Sequence, residues 1–346
     1  MTGRYWKTLS LMVICLALIA TSCTTGTAPS PSAGAAKEPK KLEKLKVGYA
    51  SLAGSYLPLM VTKEAGIFEK YGLDVELALL QGGIEMKALL AGEVPIVGGS
   101  GTSAVSAMIE GGDIVIVATA VNVPVFKIMA NPSITKPEQL KGKTLAVSKL
   151  GTSSHLAAKI ALSTWGMNPD KDVTIIAAGG MPEALAAMQG GAAQAASISD
   201  PTSLRAKKLG FHELIDLGTS GKEYAHSGYN VTKSYLAQHE DIVRNFITAY
   251  VEGTAYMIKN RKFALDVMKK WLKIDDQDVL EGSFDLYGNK YIQKAPYPTI
   301  SGIQAVLEDL AATNPKAKTA DPKKMIDDRF VRQLDESGFI KKLYAQ

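Results

Sequence analysis

Cysteine is nearly absent. The 346 residues hold two, Cys15 and Cys23, so a disulfide framework is excluded. Histidine is scarce too: His155, His212, His226 and His239 stand alone, none at metal-ligand spacing from another His or Cys. The P-loop string G-x-x-x-x-G-K-[ST] does not occur. Neither does the nucleophile elbow G-x-S-x-G, since "GGSGT" has Thr102 where its last glycine would stand. A strong charge of one sign is also missing. The 39 basic and 34 acidic residues leave a net +5, too little and too scattered for a nucleic-acid surface. What is present, 46% hydrophobic and 21% charged, is a globular composition long enough for two cores.

The longest apolar run, "LSLMVICLALIA" from Leu9 to Ala20, is too short to span a bilayer comfortably. Arg4 and Lys7 precede it, and Ala20, Thr21 and Ser22 lead into Cys23. This reads as a signal peptide over 1–22, cleaved before Cys23. It resembles a bacterial lipobox, with Ala20 in place of the more usual Leu, and would leave Cys23 lipidated. Ordinary secretory cleavage is the alternative. Residues 23–44, "CTTGTAPSPSAGAAKEPKKLEK", offer almost nothing to a core and read as a disordered tether.

From residue 44 on, short apolar runs alternate with helical patterns. "KLKVGYA", "LDVELALL", "VPIVGG" and "DIVIVATAV" read as strands, with helices after Pro58, at "IEMKALLA" and at "TSAVSAMIEGG". The design then repeats: "KTLAVSK", "DVTIIAAGG" and "AAQAASISDP" alternate with helices at "SSHLAAKIALSTW" and "MPEALAAMQ". Two βαβαβ units of like design imply two α/β lobes whose strand-end loops face a shared cleft. Beyond Ser234 the apolar residues fall at helical spacing, and Tyr250, Tyr256 and Trp271 read as packing residues of a helical tail.

"GSGTSA", from Gly99 to Ala104, formally fits the dinucleotide fingerprint. That fingerprint opens the first βα turn and needs an acid about 20 residues on. Here the motif follows the third strand, and "TAVNVP" downstream holds no acid. A binding loop fits better. Gly101, Thr102 and Ser103 put small residues, N–H groups and hydroxyls at a helix start, which favours a polar or anionic ligand. Thr152, Ser153 and Ser154, in "LGTSSH", repeat this chemistry in the second unit. Each alone could be an ordinary helix cap; the pair at matching points argues for a cleft.

The order of blocks "LKVGYA", "GIFEKYGLDVEL", "ALLAGEVPIVGG", "PEQLKGKTLAVSKLGTSSH", "EALAAMQGGAAQAASISDP" and "VTKSYLAQHEDIVRNFITAYVEG" resembles the solute-binding proteins of nitrate/sulfonate/taurine-type ABC importers and their thiamine-precursor-binding relatives. The resemblance implies a type II periplasmic-binding-protein fold: two α/β lobes, two hinge crossings, and a helical C-terminal tail packed on the first lobe. The lobes are expected at 45–121 plus 230–346 and at 122–229. It implies a monomer that needs no cofactor and no metal, catalyses nothing, and hands a small solute to a permease. Matching cleft positions are Ser51, Tyr56, Gly82, Gly83, Gly101, Thr102, Ser103, Thr152, Ser153, Ser154 and Asp200, with crossings near Asn122 and Tyr229.

The chain departs from the family where Pro95 and Gln194 replace an Asp at the strand starts. Only Lys149 offers a cation near the expected cleft, so an anion would rest on N–H groups and hydroxyls, and a neutral or zwitterionic solute fits as well. Two other classes remain open. One is a thiamine-pyrimidine-synthase-like enzyme on the same fold, with Asp200 and His155 as candidates; the missing cysteines disfavour it. The other is a sensory lipoprotein that binds a solute.

Overall fold

The computed structural model describes residues 41–81 and 83–345. The expected signal peptide, Cys23 and most of the tether lie outside the described residues, as does Gly82. Glu43 and Lys44, expected at the end of the tether, already belong to a strand, paired with Leu73 and Asp74.

The first unit contains β1 (Glu43–Tyr49), α1 (Leu57–Glu64), α2 (Ile67–Lys70), β2 (Leu73–Leu79), α3 (Ile84–Leu90), β3 (Ile96–Ser100), α4 (Gly101–Ile109) and β4 (Ile114–Val121). The second contains β5 (Lys127–Ala130), β6 (Thr144–Val147), α5 (Ser153–Thr164), β7 (Thr174–Ala177), α6 (Met181–Gln189), β8 (Ala195–Ile198), α7 (Thr202–Lys208) and β9 (His212–Asp216). The chain then returns through β10 (Ser227–Thr232).

Two five-stranded sheets result, ordered β2-β1-β3-β10-β4 and β7-β6-β8-β5-β9. In each, the first three strands are parallel and the fourth runs antiparallel to both neighbours. The repeat seen in the sequence is thus a repeat of topology. The antiparallel strands β5, β9 and β10 were not legible in the sequence. "KIMA", "HELID" and "SGYNVT" are short, and the last holds Gly, Ser and Asn, which a strand-by-composition reading passes over. Pairing on both edges secures β10: Tyr229 lies opposite Gly98 on one side and Ala118 on the other.

The chain leaves the first sheet after Val121, enters the second at Lys127, and returns between Asp216 and Ser227. The two crossings are tied together. Asn122 O accepts from Tyr224 N at 2.8 Å, and Val121 O accepts from His226 N at 3.1 Å.

The tail supplies α8 (Lys233–Gln238), α9 (Glu240–Lys259), α10 (Arg261–Leu272), α11 (Gln277–Leu286), α12 (Ile300–Leu310), α13 (Arg329–Glu336) and α14 (Phe339–Tyr344). In α9 the buried Val243, Phe246, Ile247, Tyr250 and Val251 recur at helical spacing and pack with α1 into the core of the first sheet. Tail segments also cover the edge strand β4, where Thr119 N, Gln293 N and Asp327 N make backbone hydrogen bonds across the junction. Tyr250 is fully buried and Trp271 packs partly buried against this core. Tyr256, expected there too, lies at the surface with its ring edge-on to Phe263 at 5.5 Å.

Candidate functional site

Strand β3 runs straight into α4 with no intervening loop. Ser100 ends the strand and caps the helix: its Oγ accepts from Ser103 N at 3.1 Å. In the second unit a short loop after β6 leads into α5. There Ser148 Oγ lies 2.6 Å from Ser154 Oγ and 3.2 Å from Thr152 Oγ1, and Thr152 Oγ1 donates to Lys149 O at 2.7 Å. These two helix starts meet. Thr102 Oγ1 lies 3.0 Å from Ser153 Oγ and 3.0 Å from Tyr224 Oη, a bridge between the sheets that also reaches the second crossing.

Beside this bridge is a cavity of about 50 Å³, lined from both sheets. That is space for about one or two water-sized groups as the cavity stands. The first unit contributes Ser51, Tyr56, Gly83, Glu85 and Ser103, and the second Ser148, Thr152, Ser153, Ser154, Gly180 and Met181. The crossings contribute Phe126 and His226, whose rings meet edge-on at 5.2 Å.

The cavity is as poor in cations as the sequence implied, and it holds an acid that the sequence reading did not single out. No Lys or Arg lines the cavity among the described residues. Its acidic group is Glu85, which has no exposed surface; among the described residues its carboxylate makes no well-formed hydrogen bond, although the backbone N–H groups of Glu85 and Gly83 lie near enough to favour its charged form. Burial pushes its carboxyl up to about 7, against the opposing pull of the backbone N–H groups of Glu85 and Gly83 and of Lys149. Burial likewise pushes His226 down to about 4, so the imidazole is neutral at physiological pH; its Nδ1 has no partner either. Tyr56, also buried, is held in its phenol form by burial first and by Glu85 second.

The sequence profile of the family described as "NMT1/THI5 like" matches residues 54–264, more than half of the chain. The chain belongs to that family. YtlA of Bacillus subtilis (strain 168), named as a binding protein, is 24% identical over 264 residues, covering 74% of this chain and 79% of its own. Among solved structures, the periplasmic nitrate-binding protein NrtA from Synechocystis PCC 6803 superposes with a TM-score of 0.73 at 17% identity, covering 86% of this chain and 89% of its own. The alkanesulfonate-binding protein SsuA from Xanthomonas axonopodis pv. citri, bound to MOPS, gives 0.69 at 18% identity, covering 85% and 100%. The fold is that of the periplasmic binding proteins, with two α/β lobes and the tail on the first.

Of the residues the sequence singled out, Ser51, Tyr56, Gly83, Ser103, Thr152, Ser153 and Ser154 line the cavity. Thr102 stands behind it as the bridge to Ser153. Gly101, Asn122, Asp200 and Tyr229 are not brought to the lining, and each has another role. A Cβ on Gly101 would lie 1.8 Å from Ala225 O, so glycine lets the second crossing pass against α4, where Gly101 N donates to His226 O at 3.1 Å. Asn122 Nδ2 donates to Tyr297 O at 3.0 Å, fixing the tail to the first crossing. Tyr229 lies inside β10 with its ring against Tyr250 and Phe246 in the core. Asp200 is committed to Lys127 Nζ at 3.1 Å and to Ser203 Oγ at 2.8 Å.

His155 is placed on a second, open groove of about 890 Å³ between α4, α5 and the end of α12, which meets the inner cavity at Thr152 and has Asp309 and Asn314 on its far wall. It accepts from Gly151 N at 3.1 Å. The pair considered for an enzyme, Asp200 and His155, therefore does not meet at the inner cavity. Among the described residues no cluster of three or more His, Cys, Asp or Glu is placed to hold a metal ion, and no helix is long and apolar enough to cross a membrane. Gln194 serves the backbone at the start of β8, where its Oε1 accepts from Thr144 N at 3.2 Å and its Nε2 donates to Gly191 O at 3.2 Å.

Sequence reasoning missed Glu85, Phe126 and His226. The signal for Glu85 is its register: it falls on the same helix face as Met86, Ala88 and Leu89, so it is 0% exposed while Ile84, off that face, is 50% exposed.

Proposed function

We propose that this chain is the solute-binding protein of an ABC importer, exported through its N-terminal segment, anchored by Cys23, and monomeric. Residues 45–121 with 230–346 act as one lobe and 122–229 as the other. A small polar solute enters between them, both lobes contact it, and the closed form is presented to a permease. The observation that carries this reading is the position of the cavity: walls from both sheets, a floor of Phe126 and His226 on the two crossings, and the Thr102–Ser153 bridge beside it. A ligand touching both walls binds the closed arrangement more tightly than the open one, which is the condition for ligand-driven closure. The kinship with YtlA and the fold shared with NrtA and SsuA support the role.

The test is native mass spectrometry of the exported protein, purified without denaturation and again after unfolding, dialysis and refolding. A small-molecule adduct lost on refolding, with a larger radius of gyration in the stripped protein, is expected. An unchanged mass with an unchanged radius, in protein that also takes up nothing from a small-molecule extract of the growth medium, contradicts the proposal.

A further inference from the structure

We infer that the cleft is built around Glu85 to take a solute with an N–H-rich, amidinium- or guanidinium-like head group, rather than an oxyanion. This rests on the solute-binding reading above and names the ligand class of that site.

The first ground is Glu85 itself. A carboxylate removed from water with no partner is costly, and natural interiors rarely leave one so. Here, among the described residues, neither oxygen makes a well-formed hydrogen bond, and the carboxyl stands on the wall of a cavity shared by both sheets with only the backbone N–H groups of Glu85 and Gly83 close to it. Glu85 shares the buried face of α3 with Met86, Ala88 and Leu89, so the register that packs those residues also carries its carboxyl inward, where an apolar side chain would meet no electrostatic cost.

The second ground is what surrounds it. Tyr56 and His226 are neutral at physiological pH, and Lys149 acts on Glu85 without lining the cavity. The starts of α4, α5 and α6 do favour negative charge. At α4 that capacity is used, since Ser103 N is capped by Ser100 and Gly101 N is bonded to His226 O, whereas α5 and α6 carry no side-chain cap. An oxyanion would be opposed by the ionised fraction of Glu85, about half at pH 7, and should bind less well as pH rises, whereas a cation gains. Two N–H groups on one head group give each carboxylate oxygen a donor, the strong bidentate arrangement. The apolar Phe126 and Met181 leave a flat group room without demanding further partners.

Acetamidinium and methylammonium chloride serve as cationic probes, and sodium nitrate and sodium methanesulfonate as anionic ones. All are tested at constant ionic strength by thermal shift and calorimetry. Acetamidinium is expected to stabilise the wild type more than methylammonium, and the anions not at all. Glu85→Gln is expected to lose at least tenfold in acetamidinium affinity. A second readout needs no variant. Acetamidinium stays charged throughout, so its affinity for the wild type should rise about tenfold between pH 6 and pH 8 as Glu85 ionises; His226 and Tyr56 do not change charge in that range. Stabilisation by nitrate or methanesulfonate without acetamidinium binding overturns the inference and leaves the solute-binding reading standing. So does acetamidinium binding that ignores both pH and Glu85→Gln. No response to any of the four overturns the inference and counts against the site as well.

Discussion

Thr102 on α4 and Ser153 on α5 share a hydrogen bond of 3.0 Å, joining the first sheet to the second beside the cavity. Thr102 also reaches Tyr224 Oη at 3.0 Å, so the bridge is anchored to the return crossing. The two Ser/Thr-rich helix starts that the sequence offered as separate jaws are in contact.

Removing one side of that bridge should loosen closure without unfolding the protein. Ser153→Ala leaves the Thr102–Tyr224 bond intact and should weaken solute affinity roughly fivefold, the worth of about 1 kcal/mol for one hydrogen bond. Thr102→Val orphans the buried Tyr224 hydroxyl as well and should also lower the melting temperature. In a double-mutant cycle the two effects on affinity should fall short of additive. Calorimetry with the released solute checks this; normal binding by both variants would remove the bridge from the mechanism.

Gly101→Ala should destabilise by about 2 kcal/mol or more, since its Cβ would overlap a backbone carbonyl rather than a movable side chain. Urea denaturation reads the loss directly. The formal dinucleotide motif thus owes this glycine to the passage of a crossing, not to a pyrophosphate.

Lys127→Met should cost about 3 kcal/mol, because it strands the buried Asp200 without its cation. Burial alone would lower the Lys127 ammonium; Asp200, Asp216 and Glu213 outweigh it and hold it above its ordinary value. Denaturation of Lys127→Met against the double variant Lys127→Met/Asp200→Leu should show most of the loss recovered in the double.

Glu85 and His226 should oppose each other in the pH dependence of stability of the solute-free protein. The folded Glu85 binds its proton up to about 7 against an ordinary 4.5, so its contribution falls as pH rises through that window, by about 3 kcal/mol. His226 is displaced downward, from 6.5 to about 4, so its contribution rises with pH across that window by a similar amount, about 3 kcal/mol. The two largely cancel between about pH 4.5 and 6.5. Glu85→Gln should expose a rise with pH there, and His226→Asn a fall. Comparison with the wild type cancels other titrating groups, Asp309 among them.

The parallel strands and their helices were legible because their apolar runs and glycine stops are local signals. β4 shows this well, an eight-residue apolar run buried throughout. The antiparallel strands were not, because β5, β9 and β10 owe their conformation to neighbours far away in the chain. The same division holds at the site. Hydroxyl clusters at helix starts carry their chemistry in sequence. Glu85 reads as an ordinary acid in a first helical turn, and only the fold turns it inward. Phe126 and His226 sit on crossings that have no periodicity to read. The resemblance put Asp200 among the cleft positions, yet Lys127, from a strand the sequence did not reveal, pairs with it.

The central claim, capture of a solute by closure of two lobes, is tested most directly by a distance between them. Spin labels at Glu93→Cys and Lys171→Cys, both exposed, report it by double electron–electron resonance when native cysteines are replaced by serine. The exported protein carrying its solute should give a short, narrow distribution. The same protein stripped by unfolding and refolding should give a longer, broader one that returns to the short form when the solute is restored. One distribution for both states, with the solute demonstrably bound in the first, would contradict the account.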